Sequence, residues 1–157
     1  MRTHIALLLL FLPSMACDDS PAAPGDTALS FETLFRASSS GFSEPQRRVV
    51  DDAGDWAQTW QTLYAGQSPL PALPAVDFGR ETVILAAAGP RSNGCYAIEI
   101  TRVSLTRRRT LEVDVTETVP GPACVCTQAV TQPAHLVKVE RVSAPVNFVD
   151  RLFQRAC

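Results

Sequence analysis

Apolar and polar residues alternate with a period of two along most of the second half of the chain, which is typical of strands with one buried face. In the segment 110–118, Leu111 and Val113 are predicted to face a core, and Glu112 and Asp114 to face solvent. By the same reasoning we predict strands at 47–52, 82–89, 95–103, 110–118, 135–141 and 146–153.

A different period marks one helix. Trp56, Trp60 and Leu63 recur at helical spacing and form one wide apolar face, which is typical of a helix packed on a core. Asp52 is positioned to cap its start, and Gly66 marks its exit. Both tryptophans of the protein therefore belong to the predicted core.

The connections between these elements set the fold class. Residues 68–75 contain three prolines and are predicted to form an extended connector. The pair Asn93 and Gly94 favours a tight hairpin, so the strands before and after it are expected to be antiparallel neighbours. Residues 29–36 fit either a strand or a short helix. The sum is an α+β fold: one amphipathic helix packed on a mainly antiparallel β-sheet and stapled by disulfides.

The start of the chain has the parts of an export signal. Residues 1–16 combine a basic start, a short apolar run and small residues before Cys17, which predicts a signal peptide. This junction resembles the lipobox of bacterial lipoproteins, although Ser14 stands where that motif usually has leucine. The resemblance implies acylation at Cys17; the alternative is an ordinary exported protein. Residues 17–28 are then a flexible tether and residues 29–157 a single domain.

The number of cysteines supports acylation at Cys17, because the four cysteines that remain are an even number and can all form disulfides. Cys124 and Cys126 are two residues apart and point the same way in an extended chain, so each is expected to pair elsewhere, with Cys95 or Cys157. Which pairs with which stays open. A zinc site is the less favoured alternative, since exported thiols tend to be oxidised and the spacing lacks paired Cys-x2-Cys knuckles.

Charge and candidate chemistry exclude several functions. The formal charge of −2 offers no basic field for nucleic acid. The basic run at 107–109 is expected to be a solvated hairpin turn rather than a phosphate or anionic-lipid patch. His135 is expected to be structural, and Asp77 to tie a loop to the sheet, with no acidic partner. We therefore predict no catalytic residue, no cofactor and no metal site.

The order of the motifs carries one family resemblance. Trp56 and Trp60 precede the proline-rich connector, and two further stretches follow, PAVDFGRETVILAAAGPRSNGCYAIEI at 74–100 and VDVTETVPGPACVCTQAVTQPAHLVKV at 113–139. This order resembles the C-terminal domain of the PrcB family, bacterial lipoproteins named after a subunit that stabilises a surface protease complex. The resemblance implies a non-catalytic domain of the cell envelope, held at a membrane, that binds or steadies another protein, with a protease as the candidate partner.

The exposed contact is expected at the predicted hairpin loop, formed by Arg91, Ser92, Asn93, Gly94 and Tyr96. For the asparagine and the glycine an ordinary turn is an equal alternative. Other functions left open are a protease inhibitor that inserts this loop, a small-ligand binder with a cavity beneath the tryptophan helix, and, less favoured, an envelope enzyme. The sequence leaves open whether the anchor lies in an inner or an outer membrane.

Overall fold

The computed structural model describes residues 25–157, so the predicted signal peptide and Cys17 lie outside the described residues. In chain order the elements are β1 (Thr27–Leu29), β2 (Phe31–Ala37), β3 (Gln46–Val50), α1 (Ala53–Leu63), β4 (Glu81–Ala87), β5 (Ala97–Leu105), β6 (Leu111–Pro120), β7 (Ala134–Glu140) and β8 (Val146–Arg155). The segment 29–36, which the sequence left open, is strand. Since β1 begins at Thr27, regular structure starts inside the predicted tether.

The strands form two four-stranded sheets, ordered β1-β5-β6-β8 and β2-β7-β4-β3. Neighbouring strands are antiparallel except for β6 and β8, which run parallel. The α+β class and the mainly antiparallel pairing are confirmed. The single sheet that the sequence predicts is in fact a pair of sheets, which we call the outer sheet (β1-β5-β6-β8) and the central sheet (β2-β7-β4-β3).

The predicted hairpin between β4 and β5 is wrong, because these strands belong to different sheets. After β4 the chain leaves the central sheet, and Arg91 forms an isolated antiparallel bridge with Thr131. The side chain of Asn93 accepts a hydrogen bond from the backbone N–H of Cys95 at 3.0 Å. The asparagine therefore stabilises a local turn within a crossover between sheets, rather than the tight loop of a two-stranded hairpin.

The helix forms as predicted. Asp52 caps it by accepting a hydrogen bond from the backbone N–H of Asp55 at 2.9 Å. Its buried face includes Trp56 and Trp60, whose indole N–H groups donate to backbone carbonyls of the proline-rich connector at 2.9 and 3.0 Å. Gly66 follows the helix with a φ of 84°, a left-handed conformation that glycine adopts without strain. The connector is thus an extended strap that satisfies both buried indoles.

Two cores lie on the two faces of the central sheet. One, between the sheets, contains Ile84, Ile100 and Val137; the other lies beneath α1 and contains Leu85 and Leu136. Strands β4 and β7 are therefore buried on both faces, which explains the continuous apolar run of β4. The layers are outer sheet, central sheet and helix. Among residues 25–157, no helix has both the length and the apolar character needed to cross a membrane.

Strand β6 follows its predicted alternation with one exception. Leu111 and Val113 are buried between the sheets as predicted, but Asp114 is also buried, at 4% exposure. Its carboxylate accepts hydrogen bonds from Arg102 at 2.6 Å and from Arg151 at 3.1 Å. The hydrogen bond that Arg102 donates to Asp114 raises the pKa of Arg102. Asp114 does point away from the core, and the arginine side chains on either side cover it.

Candidate functional site at the disulfide-stapled end

All four cysteines among the described residues form disulfides. Cys95 bonds to Cys126 with a Cα–Cα distance of 5.5 Å, and Cys124 bonds to Cys157 with a Cα–Cα distance of 4.9 Å. Both distances lie in the normal range for disulfides. Cys124 and Cys126 each pair elsewhere, as predicted, and the structure supplies the connectivity that the sequence left open.

The bridges hold three segments together where β5 begins and where β6 and β8 end. These segments are residues 88–96, residues 121–133 and residues 155–157, and we call them the stapled end. Gly121 also donates a backbone hydrogen bond to the carbonyl of Arg155 at 3.0 Å. Because the loops are fixed by covalent bonds and by backbone hydrogen bonds, this end presents a largely preformed surface.

Arg91 of the predicted contact loop is engaged within the domain. Its guanidinium donates two hydrogen bonds to the carboxylate of Glu117, at 2.6 and 3.0 Å, and lies 6.0 Å from the ring centroid of Tyr96. The hydrogen bond to Glu117 raises the pKa of Arg91. Its backbone exchanges hydrogen bonds with Thr131 at 2.7 and 3.0 Å. Arg91 therefore fastens the crossover to β6 and to the following loop.

The rest of this loop is also tied to residues 127–131. The carbonyl of Asn93 accepts a hydrogen bond from the Thr131 hydroxyl at 2.9 Å, and the Gly94 N–H donates to the carbonyl of Thr127 at 3.1 Å. A Cβ atom on Gly94 would lie 2.2 Å from the Thr127 hydroxyl oxygen, so the close approach favours glycine. Ser92 and Gly94 are exposed, whereas Asn93 is partly buried.

Sequence reasoning missed the apolar residues that this end exposes. Val125, between two half-cystines, is 99% exposed. Three more apolar side chains at or next to the stapled end are over half exposed, namely Val130, Leu152 and Phe153. The signal that could have found Val125 is the Cys-Val-Cys spacing, because two neighbouring bridges hold the backbone and leave the side chain between them free to point outward.

His135 is buried in the core between the sheets. Its Nδ1 accepts a hydrogen bond from the backbone N–H of Ile100 at 2.8 Å, and its Nε2 lies 3.0 Å from the Thr33 hydroxyl. Since a backbone amide can only donate, Nδ1 carries no proton and Nε2 does. Burial, reinforced by the charge of Arg36, lowers the pKa of His135 to about 4. The neutral ring thus joins the central sheet to the outer sheet.

Asp77 stands in different surroundings. It is exposed, its carboxylate accepts a hydrogen bond from the Gly79 N–H at 3.0 Å, and its carbonyl accepts from Arg80 and Glu81 at 2.8 and 2.7 Å. It therefore ties the turn that leads into β4, as predicted. His135 and Asp77, the two candidates for catalysis, are not brought together.

A polar groove of ~770 Å³ lies at the other end of the central sheet. Its lining includes Lys138, whose Nζ lies 3.2 Å from Glu81 and 3.3 Å from Glu32. The carboxylates hydrogen-bond to this ammonium group, with the Glu81 contact first, and raise the pKa of Lys138. Lys138 is therefore paired with two carboxylates of the groove lining. Within residues 25–157, no cluster of three histidine, cysteine, aspartate or glutamate residues is arranged to hold a metal ion.

Comparison with known proteins gives one match. Residues 82–140 match the family model described as PrcB C-terminal, from the start of β4 to the end of β7. Neither a curated protein nor a solved structure matches the chain. The matched part contains the crossover, the β5-β6 hairpin and three of the four bridged cysteines. This match supports the resemblance to the PrcB C-terminal family that the order of the motifs predicts.

Proposed function

We propose that this chain is a non-catalytic, lipid-anchored protein of the bacterial envelope that binds and stabilises another envelope protein, with a protease complex as the candidate partner. The observation that carries the proposal is the exposure of Val125 on a loop that two disulfides hold in place. An apolar side chain displayed on a rigid loop is suited to fill a pocket of a partner.

The neighbouring residues support a contact of this kind. Val130, Leu152 and Phe153 add exposed apolar surface near the same end, and such surface on a folded domain favours an interaction site. The predicted loop of Arg91 and Asn93 is tied down by the 127–131 segment, so it contributes the rim of this surface rather than a free inhibitory loop. The proposed centre of the contact is therefore Val125.

The disulfides support a location outside the cytoplasm, and the surroundings of His135 and of the tryptophans support a non-catalytic role. Two disulfides are typical of an extracytoplasmic domain. Both ring nitrogens of His135 are used within the core, so this imidazole serves the fold rather than a substrate. The Trp56 and Trp60 rings are buried, with their N–H groups bonded to the connector, which favours a packing role over a ligand cavity. Anchoring rests on Cys17 and its lipobox-like context.

The test is site-specific photocrosslinking in the bacterium that makes the protein. A photoreactive amino acid at Val125 is expected to give one discrete adduct with an envelope protein. The matched control is the same amino acid at Leu70 or Leu73, which are exposed apolar residues on the connector. The proposal fails if Val125, Val130 and Phe153 yield no adduct, or if the connector positions yield the same one.

The anchor has its own test, the intact mass of the protein from the membrane fraction before and after reduction. We expect a chain that begins at Cys17, carries acyl groups and gains the mass of four hydrogens on reduction, because two disulfides open. A chain of unmodified mass in the soluble fraction would contradict the anchor and leave the contact surface to be tested separately.

A further inference from the structure

We propose that the hairpin joining β5 to β6 binds the anionic phospholipid headgroups of the membrane that holds the anchor, and so orients the domain with its stapled end away from the membrane. The proposal deepens the proposed function and rests on its lipid anchor. It concerns residues 106–110, which carry Arg107, Arg108 and Arg109.

The chain enters the domain beside this hairpin. In the pairing of β1 with β5, Thr27 lies opposite Leu105, the last residue before the turn segment. One residue earlier, the carboxylate of Asp26 accepts a hydrogen bond from the backbone N–H of Arg107 at 3.2 Å. A Cβ atom on Gly25 would overlap the Arg107 side chain, which shows how closely the two segments approach. The tether therefore ends at the basic hairpin.

Chain geometry limits how far this hairpin can lie from an anchor. Eight peptide links separate Cys17 from Gly25, a reach of about 28 Å when fully extended. Strand β6 runs from Leu111 at the hairpin to Pro120 at the stapled end. Its nine steps of about 3.3 Å place the two ends of the outer sheet roughly 30 Å apart. An anchor at Cys17 thus places the arginines at the membrane-facing end of the domain.

The arginines are free to bind anions. All three are exposed, and none takes part in a salt bridge among the described residues. Two acidic side chains lie in the adjoining groove, Asp26 and Glu112. The first bonds to a backbone N–H and the second lies 3.4 Å from Arg102, so neither forms an ion pair with the hairpin side chains, and the three arginines exceed these two carboxylates by one charge. The planar guanidinium group of arginine can donate two parallel hydrogen bonds to phosphate oxygens.

The backbone of the turn supplies an independent observation. Thr106 and Thr110 close the loop through a hydrogen bond of 2.9 Å, and Arg109 has a φ of 57°. A three-residue hairpin loop commonly ends in this left-handed conformation, and glycine is the residue that adopts it without strain. This chain has arginine there instead. Arg109 therefore keeps a strained backbone conformation next to two further arginines. This favours a functional role for the positive charge of the hairpin.

The test uses the full mature chain, purified from the bacterium that makes it and reconstituted with vesicles, with limited trypsin digestion as the readout. Trypsin cleaves after arginine, and reduction separates the two halves of a chain cut at 107–109, which the Cys95–Cys126 bridge otherwise holds together. Vesicles contain either about 30% phosphatidylglycerol or phosphatidylcholine alone. Each basic residue near an anionic membrane surface strengthens binding to that surface about five-fold, so three arginines strengthen it about 100-fold. We expect cleavage at the hairpin to slow at least about ten-fold on anionic vesicles.

The internal control is cleavage after Arg155, which is exposed at the stapled end. Its rate is expected to be the same on both vesicles. Raising the salt to about 0.5 M should abolish the protection of the hairpin, because a headgroup contact is screened.

One variant of the hairpin distinguishes a role of the arginine charge from a role of the turn conformation. Arg109→Gly removes one charge and relieves the left-handed strain, so its melting temperature should equal or exceed that of the wild type. Its protection on anionic vesicles should fall about five-fold. A purely structural role would move stability and leave the lipid dependence of cleavage unchanged.

Equal hairpin cleavage on both vesicles overturns the proposal, and so does equal slowing at Arg155, which would indicate general adsorption. A chain that carries no acyl group and does not associate with vesicles instead contradicts the anchor of the proposed function. The mass of the vesicle-bound protein distinguishes these two failures.

Discussion

His135 gives the fold a stability that depends on pH. The neutral ring accepts a hydrogen bond from Ile100 and sits between the two sheets, so a proton on Nδ1 removes a bond that ties them together. Burial lowers the pKa of His135 in the folded protein from 6.5 to about 4. The unfolded chain, with the ordinary pKa, therefore takes up the proton first as the pH falls.

The magnitude follows from this difference in pKa. The contribution of neutral His135 to the free energy of unfolding is fully present above pH 6.5 and is lost as the pH falls from 6.5 towards 4. Below pH 4 the ring is protonated in both states, and no further loss occurs. Since one pKa unit corresponds to about 1.36 kcal/mol, the whole effect is on the order of 3 kcal/mol. Between pH 7 and pH 5, linkage predicts a loss of about 2 kcal/mol in the free energy of unfolding.

The assay is urea unfolding at a series of pH values, followed by the fluorescence of Trp56 and Trp60, which are buried in the folded protein. The comparison chain is His135→Asn, whose amide oxygen can accept from the Ile100 N–H but does not titrate. Subtracting its pH dependence removes the contribution of the carboxylates. We expect the variant to be less stable at pH 7 and to lack the loss of about 2 kcal/mol by pH 5. Parallel pH profiles for the two chains would refute the reasoning.

Two further predictions concern covalent and steric restraints. Replacing Cys95 and Cys126 by alanine opens a loop with a sequence separation of 31 and should lower the free energy of unfolding by about 3 to 4 kcal/mol, measured in urea with the other bridge intact. Retention of full stability would contradict this. Gly41→Ala should cost more than about 2 kcal/mol, because its Cβ would lie 1.9 Å from the carbonyl oxygen of Thr62. Gly54→Ala in the first turn of α1 should change stability by less than about 1 kcal/mol, because the gain in helix propensity is offset by a Cβ that would lie 3.2 Å from the capping Oδ1 of Asp52. Thermal melts of both variants test the contrast, and similar shifts would show that this steric distinction is wrong.

Local features were predictable from the sequence. The helix was identified from the spacing of Trp56 and Trp60 and from the Asp52 cap, and both depend only on residues within a few positions. The β5-β6 hairpin at 106–110 is also local, and its three arginines are exposed at the turn that the sequence predicts. Short-range periodicity and capping therefore determine these elements.

The arrangement of the strands into sheets could not be predicted in the same way. Asn93 and Gly94 indicate a turn, but whether that turn joins neighbouring strands depends on the bridge between Arg91 and Thr131, which are far apart in sequence. The bond from Ile100 to His135 likewise exists only once both sheets have assembled. Long-range pairing and packing decide these features, and alternation alone leaves them undetermined.

The same limit applies to the candidate site. The sequence predicted that Cys124 and Cys126 pair with partners elsewhere, but the exposure of Val125 follows from which partners they find and from how the three segments meet. The residues proposed first, Arg91 and Asn93, turned out to fasten that assembly. A contact surface built from separate loops is a property of the folded domain.

The most direct test of the central claim is the half-life of the crosslinked partner in cells. The account predicts that Val125→Asp shortens this half-life as much as deletion of the whole protein does. Leu70→Asp, a change at an exposed apolar residue of the connector, should leave it unchanged, with both variants present at wild-type levels. An unchanged half-life in the Val125→Asp strain, or equal loss in the Leu70→Asp strain, would contradict the claim that the stapled end binds and stabilises a partner.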